Sequence, residues 1–508
     1  MQDAVNFLNG IIWSPALVYL CLGAGLFFSV LTRFVQVRHF KEMLRLIGSS
    51  QSSSAGVSSF QALTISLSGR VGTGNIAGVA AAIGFGGPGA IFWMWVVAFL
   101  GAATSYIECT LGQIYKENHE GQYRGGPAYY IEKAMGQKWY AWVFAIATII
   151  ATGLLLPGAQ SNSIGNAVEL AFGASTNGGD ISTAKLVAAT GIVIALSCII
   201  FGGVKRIANF TQIVVPFMAV SYIIVAFVII GLNIDKLPGI VAMIFNDAFT
   251  PMAGFGAAIG WGVKRGVYSN EAGQGMGPQS SAAAEVDHPA QQGLVQAFAV
   301  YVDTLFVCTA TAFMILIVGT YNVQGGGEGV WLVQNLDPSV AANSPAFTQF
   351  AIESVFPGLG TIFVAIALTF FSFTTILAYY YIAETNVTYL QRSIKVPGLT
   401  LLLKVGLIGS TFYGAVKTAN LAWGLGDIGV GLMAWLNIIG IIIIFFMAKP
   451  AIKALKDYES QQRSGKDRYS FDPKKLGISN ADFWEHRNAS AHAAGEKLKT
   501  SELEKVNS

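Results

Sequence analysis

Hydrophobic residues in this chain fall into runs of about 20, the length a helix needs to cross a bilayer, and polar residues gather between the runs. Eleven such runs stand out. The first is 11–32, and five follow near 60–83, 90–114, 140–170, 184–203 and 210–232. Five more lie near 250–270, 295–319, 357–383, 399–416 and 428–447. The pattern predicts an all-α polytopic membrane protein with eleven transmembrane helices. Residues 1–50 then hold an N-terminal helix and a basic linker, 51–447 a ten-helix core, and 448–508 a polar tail that reads as a solvated extension. The opening MQDAVNFLNG lacks a basic flank and a small-residue cleavage site, so the first run reads as a retained helix and not a signal peptide.

Two runs are interrupted. Between Phe60 and Gly87 the sequence GRVGTGNIAG places Gly69, Gly72 and Gly74 beside Arg70, Thr73 and Asn75. Backbone left unpaired in hydrocarbon costs several kcal/mol per group, so a helix opens at mid-depth only where protein or a water-filled cavity replaces the lost partners. The second interrupted run is AGFGAAIGWGVKRG, 253–266. Each opens a set of five spans, the first about 60–232 and the second about 250–447. An odd number of spans per set puts the sets in opposite orientation. One leading helix plus a 5+5 inverted repeat with two broken helices is the arrangement that builds a midplane site in secondary transporters. The competing explanation is that the glycines only let helices pack closely; it leaves the neighbouring polar residues unexplained.

Charge placement tests the span map. If the loop after the first span is cytoplasmic, alternate loops and the tail carry 27 of the 31 Lys and Arg, including Lys264 and Arg265 after the seventh span. Lys185, Lys236 and Lys417 fall on the other side and Arg70 inside the membrane. This positive-inside pattern puts the N-terminus outside and the C-terminus in the cytoplasm. Composition agrees with a membrane protein: 53% hydrophobic, 12% charged. A formal net charge of +3 does not suggest nucleic acid as a partner. Cys21, Cys109, Cys198 and Cys308 all lie in apolar runs and read as buried small side chains, not as disulfides or metal ligands.

An unwound turn offers free N–H groups and a half-helix N-terminus, which attract an anion. Thr73, Gly74 and Asn75 are thereby placed to receive the carboxylate of an amino acid. The free carbonyls across the break suit a hard monovalent cation. FFSFTTILAYYY adds the hydroxyls of Ser372, Thr374 and Thr375 at membrane depth, although a Thr in an apolar helix also bonds to its own preceding turn. Gln160, Asn162 and Ser163, beside Pro157, either line the site or join helices. Arg70, Glu108 and Asp303 are ionisable groups at membrane depth, functional by default there, though a paired arginine can also be structural. The spans carry no nucleophile–base constellation, HExxH or phosphate-binding loop, so an enzyme is not expected.

GGPGAIFWMWVVAFLGAATSYIE (Gly86–Glu108), VGTGNIAGVA, GVKRGVYSNEAGQG and AAAEVDHPAQQGLVQAFAVYVDT together resemble the alanine or glycine:cation symporter family, over about residues 14–450. The resemblance implies a leucine-transporter-type fold. It implies that the N–H groups of Thr73 and Gly74, with Asn75 nearby, hold a substrate carboxylate. It implies a sodium site from the carbonyls of Ser68, Val71 and Phe371 and the hydroxyls of Thr374 and Thr375. Gln160 and the stretch from Ile259 through Gly260 and Trp261 to Gly262 would line the substrate pocket, with Thr375 and Tyr379. The family commonly reads FTTILGW where this chain has FTTILAY, so Ala378 and Tyr379 change the size of that pocket.

The expected function is a symporter, not an enzyme, that brings a small neutral amino acid such as alanine or glycine into the cell with sodium by alternating access. Sodium is cargo; no cofactor is expected. The family implies the cell inner membrane. A proton-coupled carrier using Arg70 with Glu108 or Asp303, and a membrane sensor signalling through its tail, are the alternatives.

Overall fold

The computed structural model describes residues 1–48, 52–173, 182–201, 203–325, 329–466 and 468–490. It is a helical bundle. The first apolar run forms α1 (Gln2–Ile12) and α2 (Pro15–Leu31), bent by 42° where Pro15 starts the second. The core follows: α3 (Ser59–Arg70), α4 (Ala77–Gly86), α5 (Ala90–Ile114), α6 (Lys138–Ile150), α7 (Leu156–Ala171), α8 (Thr183–Ile200), α9 (Gly203–Leu232) and α10 (Leu237–Phe249). Beyond them come α11 (Phe255–Asn270), α12 (Gly277–Ala282), α13 (Pro289–Val300), α14 (Thr309–Val318), α15 (Gly360–Gln391), α16 (Leu399–Val416), α17 (Ala419–Ala448) and α18 (Pro450–Arg463). Among the described residues, eight helices are long and apolar enough to span, or nine if α1 and α2 count as one.

Burial sorts these helices into shells. The 18-residue windows of α5, α13–α14 and α15 are mostly inside the protein, whereas α8, α9 and α16 leave most of theirs unburied. Phe217, Val220, Ile224 and Phe227 on α9 face outward, as lipid-facing side chains do, because an apolar surface costs nothing against acyl chains. Cys198 lies exposed on this perimeter, unlike Cys21, Cys109 and Cys308, which are buried as expected.

Both breaks have local causes. Helix α3 starts on a capping box, with Ser58 Oγ accepting from Gln61 N and Gln61 Oε1 accepting from Ser58 N, both at 3.1 Å. It ends when the N–H of Gly72 turns from the helix to donate to Asn75 Oδ1 at 2.8 Å. Thr73–Asn75 form a single tight turn before α4 begins. Between α6 and α7 a wide turn, Ala151–Leu155, absorbs the N–H missing at Pro157.

The second break lies elsewhere than the glycine pattern predicts. Residues 255–270 form the unbroken α11, and the chain opens at 271–276, between α11 and α12. The glycines of 253–266 permit contact. A Cβ on Gly262 would lie 2.5 Å from Ala90 O and 2.6 Å from Trp93 Cβ, so α11 is seated directly on α5. Gly273 and Gly275, at φ +82° and +80°, make the actual break. Lys264 and Arg265 accordingly lie within α11 and not in a cytoplasmic loop. Both are paired to Asp427 Oδ2 on α17 at 2.7 Å, and Arg265 is packed over Trp261, Tyr268 and Trp423.

The C-terminal segment is no solvated extension as far as it is described. Phe471 and Trp484 are buried, and Trp484 Nε1 donates to Gln113 O at 2.9 Å. Glu459 on α18 meets Arg38 at 2.8 Å and His39 at 3.1 Å. Residues 49–51 of the basic linker and 491–508 of the tail lie outside the described residues.

Candidate functional site

The first break and α15 meet in the middle of the bundle. Thr375 Oγ1 lies 2.8 Å from Ser68 O, 2.9 Å from Phe371 O and 3.4 Å from Val71 O. Ser68 O would ordinarily accept from the N–H of Gly72, which has gone to Asn75. Val71 O would accept from the N–H of Asn75, which bonds Gly72 O at 3.2 Å instead. One hydroxyl carries one proton and serves one carbonyl at a time, so the break leaves lone pairs converging on Thr375. Thr374 is turned otherwise: its Oγ1 bonds Phe370 O at 3.0 Å and Phe371 O at 2.9 Å within its own helix. Ser372, one residue off this face, has a buried hydroxyl without a partner.

On the opposite side of the break the N–H of Thr73 donates to Gln160 Oε1 at 3.0 Å, and Gln160 Nε2 lies 3.4 Å from Tyr379 OH. Thr73 Oγ1 bonds Ser163 Oγ. Gly72 is required by this closeness: a Cβ there would sit 2.5 Å from Thr375 Oγ1 and 2.9 Å from Gln160 Oε1. Gly74 packs on Ser269 of α11, where an added Cβ would lie 3.2 Å from Ser269 Cα. Asn75 closes the turn with Oδ1 and uses Nδ2 to reach Asp303 Oδ1 at 2.7 Å.

The structure thus brings together Ser68, Val71, Thr73, Asn75, Gln160, Phe371, Thr375 and Tyr379. It does not bring in the 259–261 stretch. Trp261 stacks on Phe85 at 4.5 Å between ring centroids, and Gly260 and Trp261 line a separate cavity of about 300 Å³ with Trp13 and Lys264. They sit in α11 well before the break, so the shift of that break carries them away from the cluster. Of the polar trio on α7, Gln160 and Ser163 touch the break, whereas Asn162 Nδ2 joins helices through Gly414 O (2.9 Å) and Lys417 O (2.6 Å).

Of the ionisable groups, Glu108 braces the second break, accepting from Gly273 N and Gly275 N at 3.1 Å each and from Asn437 Nδ2 at 2.6 Å. Asp303 sits in a wide π-type turn, 301–308, that aims it at Asn75 and Ser269. Glu271 was not legible as a site residue. Nothing in NEAGQG distinguishes it from a loop carboxylate until the break is known to lie there.

Comparison with known proteins gives this geometry a family. The sodium:alanine symporter family matches over residues 1–472. The chain belongs to that family. A Bacillus subtilis relative named putative sodium/proton-dependent alanine carrier protein YrbD is 58% identical, over 96% of this chain and 98% of its own. The sodium/proton-dependent alanine carrier protein of Bacillus sp. PS3 is 50% identical, over 87% of this chain and 97% of its own. The crystal structure of MhsT in complex with L-phenylalanine superposes with a TM-score of 0.53 at 15% identity, covering 78% of this chain and all of that one, which shows a shared leucine-transporter-type fold. The family member described here is therefore a multi-pass membrane carrier and not an enzyme.

Proposed function

We propose that this symporter carries a small neutral amino acid, alanine or glycine, into the cell with sodium by alternating access. The observation that carries the reading is the set of oxygens around Thr375. Carbonyls of Ser68, Val71 and Phe371 all lie within 3.4 Å of the Thr375 hydroxyl, a donor set suited to a hard monovalent cation, which Thr374 would join by turning its hydroxyl from its own helix. On the far side of the same turn, Thr73 N and the N-terminus of α4 offer partial positive charge to a carboxylate. In this reading the carboxylate replaces Gln160 Oε1 on Thr73 N, with Gly74 and Asn75 beside it, and Tyr379 walls the side-chain pocket. Cation and amino acid bind to two faces of one broken helix, so each stabilises the geometry the other needs, and the coupling is reciprocal.

The nine candidate spans plus the two broken pairs, α3–α4 and α11–α12, make eleven, in keeping with one leading helix and a 5+5 inverted repeat. Arg33, Arg38, Arg124, Lys133 and Arg392 lie at the end of the bundle where the tail packs, which supports a cytoplasmic C-terminus in the cell inner membrane. The test is radiolabelled alanine uptake into proteoliposomes under an inward sodium gradient, with potassium in place of sodium as control. Accumulation in sodium alone is expected; equal uptake in both salts refutes sodium coupling.

A further inference from the structure

Three carboxyl groups, Glu108, Glu271 and Asp303, lie buried around a single guanidinium, Arg70. Two of the three are well supplied with donors. Glu108 accepts from two backbone N–H groups and Asn437. Asp303 accepts from Asn75 Nδ2 at 2.7 Å, Ser269 Oγ at 3.0 Å and Thr304 Oγ1 at 2.7 Å. Glu271 has no such support. Its Oε1 is buried without a hydrogen-bond partner, and its Oε2 lies 3.9 Å from Arg70 Nε, beyond hydrogen-bond reach. Arg70 directs its Nη atoms elsewhere, to Gln296 O at 2.9 Å and Ser105 Oγ at 3.2 Å.

A buried carboxylate keeps its charge when donors or a counter-charge replace water. One guanidinium does not neutralise three carboxylates in a dry interior. The proton that balances the cluster belongs on the group with the fewest donors, and that group is Glu271. Its backbone is left-handed, φ +58°, a conformation costly for any residue but glycine, in a loop that already uses Gly273 and Gly275. A strained position that nonetheless holds a carboxyl points to a use for that carboxyl. Its location gives the use: a Cβ on Gly69 would lie 3.0 Å from Oε1 and 3.2 Å from Oε2, so the carboxyl rests against the last turn of α3. Glu271 belongs to the second break and touches the helix end that forms the first.

We propose that Glu271 is a proton-binding site of this carrier, and that its charge state controls the contact between the two broken spans. The inference rests on the reading of the chain as a cation-coupled amino-acid carrier. The step is a simple protonation: the carboxylate takes one proton from the open side, becomes a neutral acid, and releases the proton to the opposite side after the spans move. As an acid it rests against the last turn of α3 while Arg70 bonds Gln296 and Ser105, the arrangement seen here. As a carboxylate it attracts Arg70, and that pull shifts α3 against the 271–276 break. The groups facing it are Arg70 from α3, Glu108 and Cys109 from α5, Asp303 from the 301–308 turn, Tyr268 from α11 and Tyr379 from α15.

The experiment follows alanine accumulation and internal pH together in proteoliposomes holding a pH-sensitive dye, for the wild type and Glu271→Gln. The wild type is expected to acidify the lumen in step with alanine uptake. Glu271→Gln is expected to move no protons, and whatever alanine transport it keeps no longer varies with external pH. Proton movement unchanged in Glu271→Gln overturns the proposal, as does alanine accumulation without proton movement in the wild type. Absence of alanine accumulation in the wild type under any gradient overturns the carrier reading itself and this proposal with it. If Glu271→Gln does not fold, infrared difference spectra of the wild type decide. A protonated-carboxyl C=O band that changes on adding sodium and alanine supports the site, and the absence of any such change refutes it.

Discussion

Thr375→Val keeps the shape of the side chain and removes the one hydroxyl that reaches across from α15 to the first break. In the structure that hydroxyl lies within 2.8–3.4 Å of three carbonyl oxygens, two of them stripped of their helical donors by the turn at Gly72. If sodium binds among these oxygens, the substitution removes one of five ligands. An interaction with a charged group contributes about 1.5–3 kcal/mol, and about 1.4 kcal/mol is a factor of ten. The sodium concentration for half-maximal alanine uptake should therefore rise by about 10- to 150-fold, with a smaller loss of maximal rate. Thr374→Val should cost less, because Thr374 Oγ1 bonds Phe370 O and Phe371 O of its own helix and contacts Met218 Sδ, and has to turn to reach the ion. Thr375→Ser keeps the hydroxyl and should restore most of the affinity. The assay is sodium titration of radiolabelled alanine uptake in proteoliposomes, checked by sodium-dependent thermal stabilisation of purified protein. A Thr375→Val protein with unchanged sodium dependence, or a Thr375→Ser protein as impaired as the valine variant, refutes the reasoning.

Other positions make separate predictions. Gly72→Ala puts a methyl 2.5 Å from Thr375 Oγ1 and 2.9 Å from Gln160 Oε1; overpacking of this kind costs about 1–3 kcal/mol, and alanine uptake should vanish while the protein still reaches the membrane. Asp427→Ala strands the buried Arg265 and the part-buried Lys264 and should lower stability by about 3–5 kcal/mol, read as a drop in Tm; an unchanged Tm contradicts the pairing seen here. Lys116, just beyond α5, is buried under Tyr123, Phe483 and Trp484, and loss of hydration pushes its ammonium down to about 7. Unfolded, the same lysine holds its proton to about 10.4, so between these values the unfolded chain binds more protons and stability from this group rises with pH. Subtracting the thermal stability of Lys116→Met from that of the wild type across pH 7 to 10 should reveal the rise, and a flat difference excludes it.

Tertiary structure divides the polar residues of the spans in ways their identities do not announce. Gln160 and Asn162 stand two apart on one helix and look equally suited to a site. Only the packing of α7 between the first break and α16 sends one to Thr73 and the other to Gly414 and Lys417. Glycine is similarly ambiguous. VGTGN opens the chain because Gly72 must pass within contact of Thr375, whereas Gly262 and Gly266 lie inside the continuous α11 and let it settle on α5.

Hydrophobic run length and the position of basic residues determined from sequence that this is a helical membrane protein, because the bilayer fixes the length of a span and penalises charge within it. VGTGNIAG also marked the first break, but the same kind of pattern in 253–266 lies almost wholly in the continuous α11, so glycine spacing alone did not decide where a span opens. The second break, the pairing of Lys264 and Arg265 with Asp427, and the cluster of carboxyls around Arg70 were decided by tertiary structure alone. Each depends on which helix faces which across more than 100 residues of chain, as Arg70 and Glu271 do, and a side chain's partner there is set by packing and not by its neighbours in sequence.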